Sequence, residues 1–238
     1  MKYFIYWQTI NNKLPQYITD CINNMKSIFG ESLIIIDNNN LVKYIPILPK
    51  FFHRIPKIAI KVDYIRIALL YYHGGCYLDA DTIIFPKFLD DMNNLPNADL
   101  IGVGKNNDIT GNAILIAPNA KSLICKKILE KQEEIIQNKK GILQWSDIGG
   151  NLISDICKSC KSENTINVAT FTKNPIYFSG WKNSLVFLSK DDKIIIDFIE
   201  KIKIGNYGGV VLYNQIMKKY IPNQIPKKSL LWYLLKKN

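Results

Sequence analysis

The chain has few of the features that assign a protein to a class at first sight. It lacks the run of about 18 apolar residues that a transmembrane helix needs, and Met1 to Tyr6 read as the start of a strand and not as a cleavable signal. Its five cysteines are scattered and odd in number, and Cys157 and Cys160 have no second pair with which to form a zinc site. These absences predict a cytoplasmic protein.

The sequence also lacks the signals of several nucleotide and nucleic-acid binders. The glycines within residues 100–104 are too few and wrongly spaced for a dinucleotide-binding loop. The net charge of +11 favours anionic partners such as a nucleotide diphosphate, a lipid head group, an acidic glycan or a nucleic acid. Because the lysines are spread along the chain and no known nucleic-acid module is present, we expect no nucleic-acid partner.

Alternating strand and helix signals, in contrast, run through the whole chain. Of its 238 residues 47% are hydrophobic, which is enough to bury a sizeable core, and no linker or internal repeat divides it. Short strands are predicted at residues 33–36 and 100–104, and an amphipathic helix at 121–138. This alternation predicts a single α/β domain over residues 1–238, with a mainly parallel sheet that binds ligands at the carboxyl ends of its strands.

The most informative segment is residues 74–82, Gly-Gly-Cys-Tyr-Leu-Asp-Ala-Asp-Thr. Upstream, an apolar helix is predicted over residues 56–73, with a proline at its start and Gly74 as a left-handed cap at its end. The chain then enters a short extended segment that carries Asp79 and Asp81. Two carboxylates at this spacing can bind one hard divalent cation, Mn²⁺ or Mg²⁺, and leave room for substrate phosphates. A solvated turn is the alternative interpretation.

A second polar pair lies on the predicted helix. Asp63 and Arg66 are three residues apart and share one face of an otherwise apolar helix. Burial of both charges costs several kcal/mol per ion before their attraction offsets it. The pair is therefore either an ordinary ion pair turned to solvent or part of a polar site. Because the helix leads directly into the segment with Asp79 and Asp81, we expect all four groups to face one cleft.

These residues resemble a known family. Residues 61–66, 69–70 and 74–81 are similar to the sugar-binding region with a DXD motif of the family 32 glycosyltransferases. That family includes yeast-type initiating mannosyltransferases and capsular or surface-polysaccharide transferases, and it is similar to the glucosyltransferase domains of the large clostridial toxins. The resemblance implies a GT-A-like fold. It also implies a Rossmann-like half up to about residue 120 for the nucleotide sugar and the metal, and an acceptor-side half over about 121–238.

The resemblance implies roles for individual residues. Asp81 and Asp79 would hold the metal and, with Arg66, form the catalytic set. The residues implied to bind the donor are Trp7, which would stack on the base, Asp63, Arg66, Tyr77, Asp79 and Asn112. Relatives commonly close the metal or diphosphate site with a histidine or another polar ligand in a C-terminal segment, but the corresponding residues 208–214 contain no histidine. Asn214 or Tyr213 is the candidate to replace it.

The function implied by the resemblance is a metal-dependent transfer of a hexose-type sugar, with retention of anomeric configuration, in polysaccharide or glycoconjugate synthesis. The donor would be a UDP- or GDP-sugar, and the acceptor a glycan, a lipid-linked molecule or a protein. Paired aspartates also suit a metal-dependent nucleotide hydrolase or nucleotidyltransferase. A catalytically silent nucleotide-sugar-binding protein is the third alternative.

The tail of the chain differs in composition from the rest. In residues 226–237, lysine pairs bracket a cluster of leucine, tryptophan and tyrosine, which is typical of a segment that lies in a membrane interface. This composition predicts either peripheral contact with the inner membrane surface or a terminal helix that packs on the protein core.

Overall fold

The structure is a computed structural model that describes residues 1–8, 14–50, 52–55, 57–105, 108–139, 141–162, 166–171, 173–221 and 224–236. The chain divides into two compact units whose segments alternate along the sequence. The first unit comprises Met1–Gln8, Ile34–Leu78 and Pro96–Thr172. The second unit comprises Thr9–Leu33, Asp79–Leu95 and Lys173–Asn238.

The described residues form nine strands, ten α-helices and three 3-10 helices. The strands are β1 (Tyr3–Tyr6), β2 (Leu33–Ile36), β3 (Gly75–Leu78), β4 (Thr82–Ile84), β5 (Leu100–Lys105), β6 (Asp108–Ala117), β7 (Val168–Thr170), β8 (Ile176–Phe178) and β9 (Gly209–Val211). The α-helices are α1 (Gln16–Phe29), α2 (Leu41–Tyr44), α3 (Ile58–His73), α4 (Lys87–Asn93), α5 (Leu123–Asn138), α6 (Trp145–Ile148), α7 (Gly150–Ser162), α8 (Asp192–Ile204), α9 (Asn214–Tyr220) and α10 (Leu230–Lys236). The 3-10 helices cover Gly30–Ser32, Phe52–Arg54 and Trp181–Leu188.

The first unit is built on a six-stranded sheet with the strand order β2-β1-β3-β6-β5-β7. β1 pairs in parallel with β3, and β5 with β7, whereas β6 is antiparallel to both β3 and β5. Among these five strands, β6 therefore opposes the common direction of the other four. Every residue of β1 and β3 is buried, as is typical of central strands in a sheet covered by helices. This arrangement confirms the predicted α/β class with a mainly parallel sheet flanked by helices.

Helix α3 packs against this sheet and is buried along most of its length. It ends where the sequence predicts, because Gly74 adopts a φ of +65° and its N–H donates to the carbonyl of Leu70 at 2.8 Å. A Cβ at Gly74 would lie 2.9 Å from the backbone nitrogen of Ala120, so the position requires glycine. The helix begins at Ile58. The predicted start at residue 56 lies outside the described residues.

The other predicted elements are found with small shifts of their ends. The strand at 33–36 is β2, and the strand at 100–104 is β5, which continues to Lys105. The helix predicted at 121–138 is α5, which begins at Leu123 because Lys121 has a φ of +61° and Ser122 is extended. Neither of these two residues has the helical backbone that the pattern alone assigned to them.

The second unit contains a three-stranded sheet with the order β4-β9-β8. β9 lies between an antiparallel partner, β4, and a parallel one, β8. Helix α1 packs on β4, and the buried side chain of Asn24 joins the two elements. Its amide donates to the carbonyl of Ile84 at 2.9 Å and accepts from the N–H of Ile84 at 2.7 Å. The side chain of Asn24 thus satisfies both backbone groups of Ile84, as a neighbouring strand would.

The C-terminal tail forms α10 within the second unit. Leu230 and Leu231 are fully buried, and α10 packs against the 3-10 helix Trp181–Leu188. The N–H of Leu230 also donates to the carbonyl of Ser189 at 2.9 Å. The packed terminal helix is therefore the alternative that the structure shows, and membrane contact stays a prediction. In the part of the chain that the structure describes, no helix has both the length and the apolar character that crossing a bilayer requires.

Candidate functional site

The Asp79–Asp81 segment lies in a turn between β3 and β4. β3 ends at Leu78 and β4 begins at Thr82, so the two aspartates are not on an extended segment, and that prediction is wrong. The reason is that β3 ends its pairing with β6 at Leu78, and β4 begins its pairing with β9 at Thr82, so the two aspartates lie between the paired segments. Asp81 is buried, with 8% of its surface exposed, whereas Asp79 is partly exposed.

Within the second unit, the segment after β9 is bound to Asp81 on two sides. The backbone N–H of Leu212 donates to the carbonyl of Asp81 at 2.9 Å. The backbone N–H of Asn214 donates to the Asp81 carboxylate. Asn214, the candidate to replace the absent histidine, therefore lies directly against Asp81.

Asn214 is held in turn by a residue of α1. The hydroxyl of Tyr17, a fully buried side chain, donates to Oδ1 of Asn214. Burial, and after it the negative charge of Asp81, raises the pKa of the Tyr17 hydroxyl, so it stays protonated and donates at neutral pH. Sequence reasoning missed Tyr17, because the contact joins residues 197 positions apart and no local pattern marks it.

In the first unit, four of the predicted donor-binding residues lie together. Nη2 of Arg66 is 3.3 Å from Oδ1 of Asp63, and Nδ2 of Asn112 donates to the same oxygen at 2.8 Å. Arg66 also donates to the backbone carbonyl of Asn112, and its guanidinium lies 5.0 Å from the centre of the Tyr77 ring. We call Asp63, Arg66, Tyr77 and Asn112 the arginine cluster.

The arginine cluster is buried and carries charge. The exposed fractions are 6% for Asp63 and 5% for Arg66, which excludes an ordinary surface ion pair. Burial raises the pKa of Asp63 to about 6, although Arg66 and the hydrogen bond from Asn112 both act to lower it. Asp63 is therefore ionised at neutral pH but at a free-energy cost that an apolar pair would not carry.

Gln132 is a second residue that sequence reasoning missed. It lies in α5, is fully buried, and its Nε2 donates to the carbonyls of Asp63 at 3.0 Å and of Ile148 at 2.7 Å. One side chain thus joins the backbone of the arginine cluster to the end of α6. Within an amphipathic helix pattern, a glutamine reads as a solvent-facing residue, so the sequence offers no signal for this contact.

Trp7 follows β1, and its backbone N–H donates to the carbonyl of Ile36 at 3.0 Å. Its indole Nε1 is buried and has no hydrogen-bond partner among the described residues. A buried donor without a partner costs about 1–3 kcal/mol. A bound ligand that accepts this hydrogen bond would recover that cost.

The chemistry of Asp79, Asp81 and Asn214 fits a hard divalent cation. All three can offer oxygen ligands, which Mg²⁺ and Mn²⁺ prefer. No group of three or more histidine, cysteine, aspartate or glutamate side chains that could hold a metal occurs in the described residues. A pair of carboxylates is nevertheless enough for a cation that also takes substrate phosphates and water as ligands.

Comparisons with known proteins give a match to one family model and likenesses to solved structures. Residues 2–143 match the family model described as capsular polysaccharide synthesis protein. Among solved structures, the chain is similar to the PaToxG glycosyltransferase, with 12% identity, a TM-score of 0.48, and coverage of 99% of this chain and 84% of that one. It is also similar to the apo-form glycosyltransferase GlyE of Streptococcus pneumoniae TIGR4, with 12% identity, a TM-score of 0.47, and coverage of 100% of this chain and 60% of that one. The comparison with curated proteins gives no match.

Proposed function

This chain belongs to the capsular polysaccharide synthesis protein family, and we propose that it acts there as a glycosyltransferase. The reaction moves a hexose-type sugar from a UDP- or GDP-sugar to a glycan, lipid-linked or protein acceptor. Membership of glycosyltransferase family 32, retention of configuration and the choice of nucleotide stay predictions that rest on the resemblance of residues 57–85. Location in the cytoplasm and contact with the inner membrane surface also stay predictions.

The arginine cluster is the observation that carries this proposal. A buried Asp63–Arg66 pair is more costly than a well-packed apolar pair of similar volume, so its presence favours a functional role over a purely structural one. A planar guanidinium makes paired hydrogen bonds to phosphate oxygens, and a carboxylate accepts from sugar hydroxyls. We assign Arg66 to the diphosphate or sugar, and Asp63 and Asn112 to sugar hydroxyls.

Asp81 and Asp79 are assigned to the divalent cation, with Asn214 as the candidate third ligand. A bound Mn²⁺ or Mg²⁺ supplies Lewis-acid stabilisation of the negative charge on the departing diphosphate. The protein contributes a fixed carboxylate, because the N–H of Asn214 and the N–H of Leu212 hold the side chain and the carbonyl of Asp81. Ligands fixed before the reaction need no reorganisation as charge develops.

The nucleoside is assigned to Trp7. The base would stack on the indole. Nε1 of Trp7, which has no partner among the residues that the structure describes, gives a hydrogen-bond donor for a base or ribose oxygen. Tyr77 is fully buried beside Arg66, so we assign it to supporting the guanidinium that would bind the donor.

The proposal is tested with Asp81→Asn and Asp79→Asn in a sugar-transfer assay over a panel of UDP- and GDP-sugars with Mn²⁺. Each substitution should lower turnover about 100- to 1,000-fold, because it removes a charge placed to stabilise the transition state. Asp197→Asn is the matched control, since Asp197 is an exposed aspartate of α8 in the same unit. It should leave turnover unchanged.

Three other results would contradict parts of this proposal. If Asp81→Asn kept the wild-type turnover at saturating Mn²⁺, the assignment of Asp81 to a divalent cation would be wrong. Cleavage of the nucleotide sugar that does not depend on any acceptor would favour a hydrolase. Binding of a nucleotide sugar without turnover would favour the silent binding protein. NMR of the product anomer then decides between retention and inversion.

A further inference from the structure

Tyr17 is joined to Asp81 through a single intermediate residue. Its hydroxyl donates to the side-chain oxygen of Asn214, and the backbone N–H of the same Asn214 donates to the Asp81 carboxylate. Tyr17 comes from α1 and Asn214 from the start of α9, so the contact fixes two distant parts of the chain within the second unit. Phenylalanine would fill the same space, and only the hydroxyl makes this connection.

The backbone at Asn214 needs such support. Tyr213, the residue before it, has a φ of +58°, a left-handed conformation that is unfavourable for a bulky side chain. Its hydroxyl accepts from the N–H of Gly180 at 3.2 Å. Residues 212–214 are therefore held by hydrogen bonds at Leu212, at Tyr213 and on both the backbone and the side chain of Asn214.

We propose that Tyr17 is a positioning residue for the divalent cation at Asp81. Its O–H fixes the rotamer of Asn214, and thereby the amide oxygen available to the cation. It also anchors the residue whose backbone N–H orients the Asp81 carboxylate. The inference rests on the proposed function, in which Asp81 holds the cation. Residues that orient metal ligands in this way typically change metal affinity about 10- to 100-fold.

The experiment measures binding of Mn²⁺ alone by electron paramagnetic resonance, at a temperature well below the melting point of each variant. Tyr17→Phe should weaken Mn²⁺ binding about 10-fold relative to the wild-type chain. Tyr64→Phe is the matched control. Like Tyr17→Phe, it removes the hydroxyl of a buried tyrosine that donates to another side chain, in this case the carboxylate of Glu133 at 2.8 Å. It should bind Mn²⁺ as the wild-type chain does.

A double-mutant cycle separates positioning from a general loss of stability. If Tyr17 acts through Asn214, Tyr17→Phe should weaken Mn²⁺ binding further by less than twofold when it is added to Asn214→Ala. If the two effects multiply, or if Tyr17→Phe binds Mn²⁺ as tightly as the wild-type chain, the inference is wrong. If Tyr17→Phe does not fold, Asn214→Ala takes its place in the test. A folded Asn214→Ala variant that binds Mn²⁺ as tightly as the wild-type chain overturns the inference. If the wild-type chain does not bind Mn²⁺ at all, both the cation site and this inference fail.

Discussion

Replacement of Asp63 by asparagine should make the protein more stable at alkaline pH. Asparagine has the same shape, and its oxygen can still accept the hydrogen bond that Asn112 donates at 2.8 Å. It removes the charge and, with it, the ion pair with Arg66, whose attraction the net rise in the pKa of Asp63 already includes. That charge is costly in the folded state, because burial raises the pKa of Asp63 from 3.8 to about 6.

The sign and size of the effect follow from this pKa. When the pKa of a carboxyl group is higher in the folded than in the unfolded chain, its contribution to the free energy of unfolding is fully present below the unfolded pKa. That contribution is lost as the pH rises through the folded pKa. The rise from 3.8 to about 6 corresponds to about 3 kcal/mol. Asp63→Asn should therefore exceed the wild-type chain by about 3 kcal/mol at pH 8, and match it near pH 4.

Urea denaturation followed by tryptophan fluorescence at pH 4, 6 and 8 measures this difference. Asp108→Asn is the control with the opposite sign, because the hydrogen bond from Lys161 holds the pKa of the partly exposed Asp108 below its usual value. The Asp108 contribution is present above the unfolded pKa and is lost as the pH falls through the folded pKa. If Asp63→Asn were less stable than the wild-type chain at pH 8, the attraction of Arg66 would outweigh the cost of burial and the reasoning would be refuted.

Three further substitutions test the packing that supports the site. Asn24→Leu should lower the free energy of unfolding by about 1–3 kcal/mol for each backbone group of Ile84 left without its partner, as measured by urea denaturation. Gly208→Ala should lower the melting temperature markedly, since its Cβ would lie 2.6 Å from Cα of Phe88, and an unchanged melting curve would contradict this packing. Leu231→Ala should lower the free energy of unfolding by about 2–5 kcal/mol, because the side chain is fully buried. Replacement of an exposed, membrane-binding leucine would leave the free energy of unfolding unchanged.

The sequence predicts those features that depend on neighbouring residues. The end of α3 follows from Gly74, and the pairing of Asp63 with Arg66 follows from their helical spacing. The α/β class follows from the alternation of strand and helix patterns. Asn112 could be named only through the resemblance, and the structure places its side chain on Asp63.

Features that depend on distant contacts were not predictable in this way. Tyr17 and Asn214 meet across 197 positions, and Gln132 and Asp63 across 69. The break between β3 and β4 at Asp79–Asp81 depends on the two strands pairing with different partners, β6 and β9, which no local pattern reveals. The strands of the second sheet have only three residues each, too few for an alternation pattern to mark them as partners.

Calorimetric titration with UDP- and GDP-sugars, with and without Mn²⁺, is the most direct test of the proposal that this chain binds a nucleotide-sugar donor together with a divalent cation. The wild-type chain should bind one of these donors only when Mn²⁺ is present, and Asp81→Asn should lose that dependence together with most of the affinity. Equal binding by the wild-type chain and Asp81→Asn, or equal binding with and without Mn²⁺, would contradict the account.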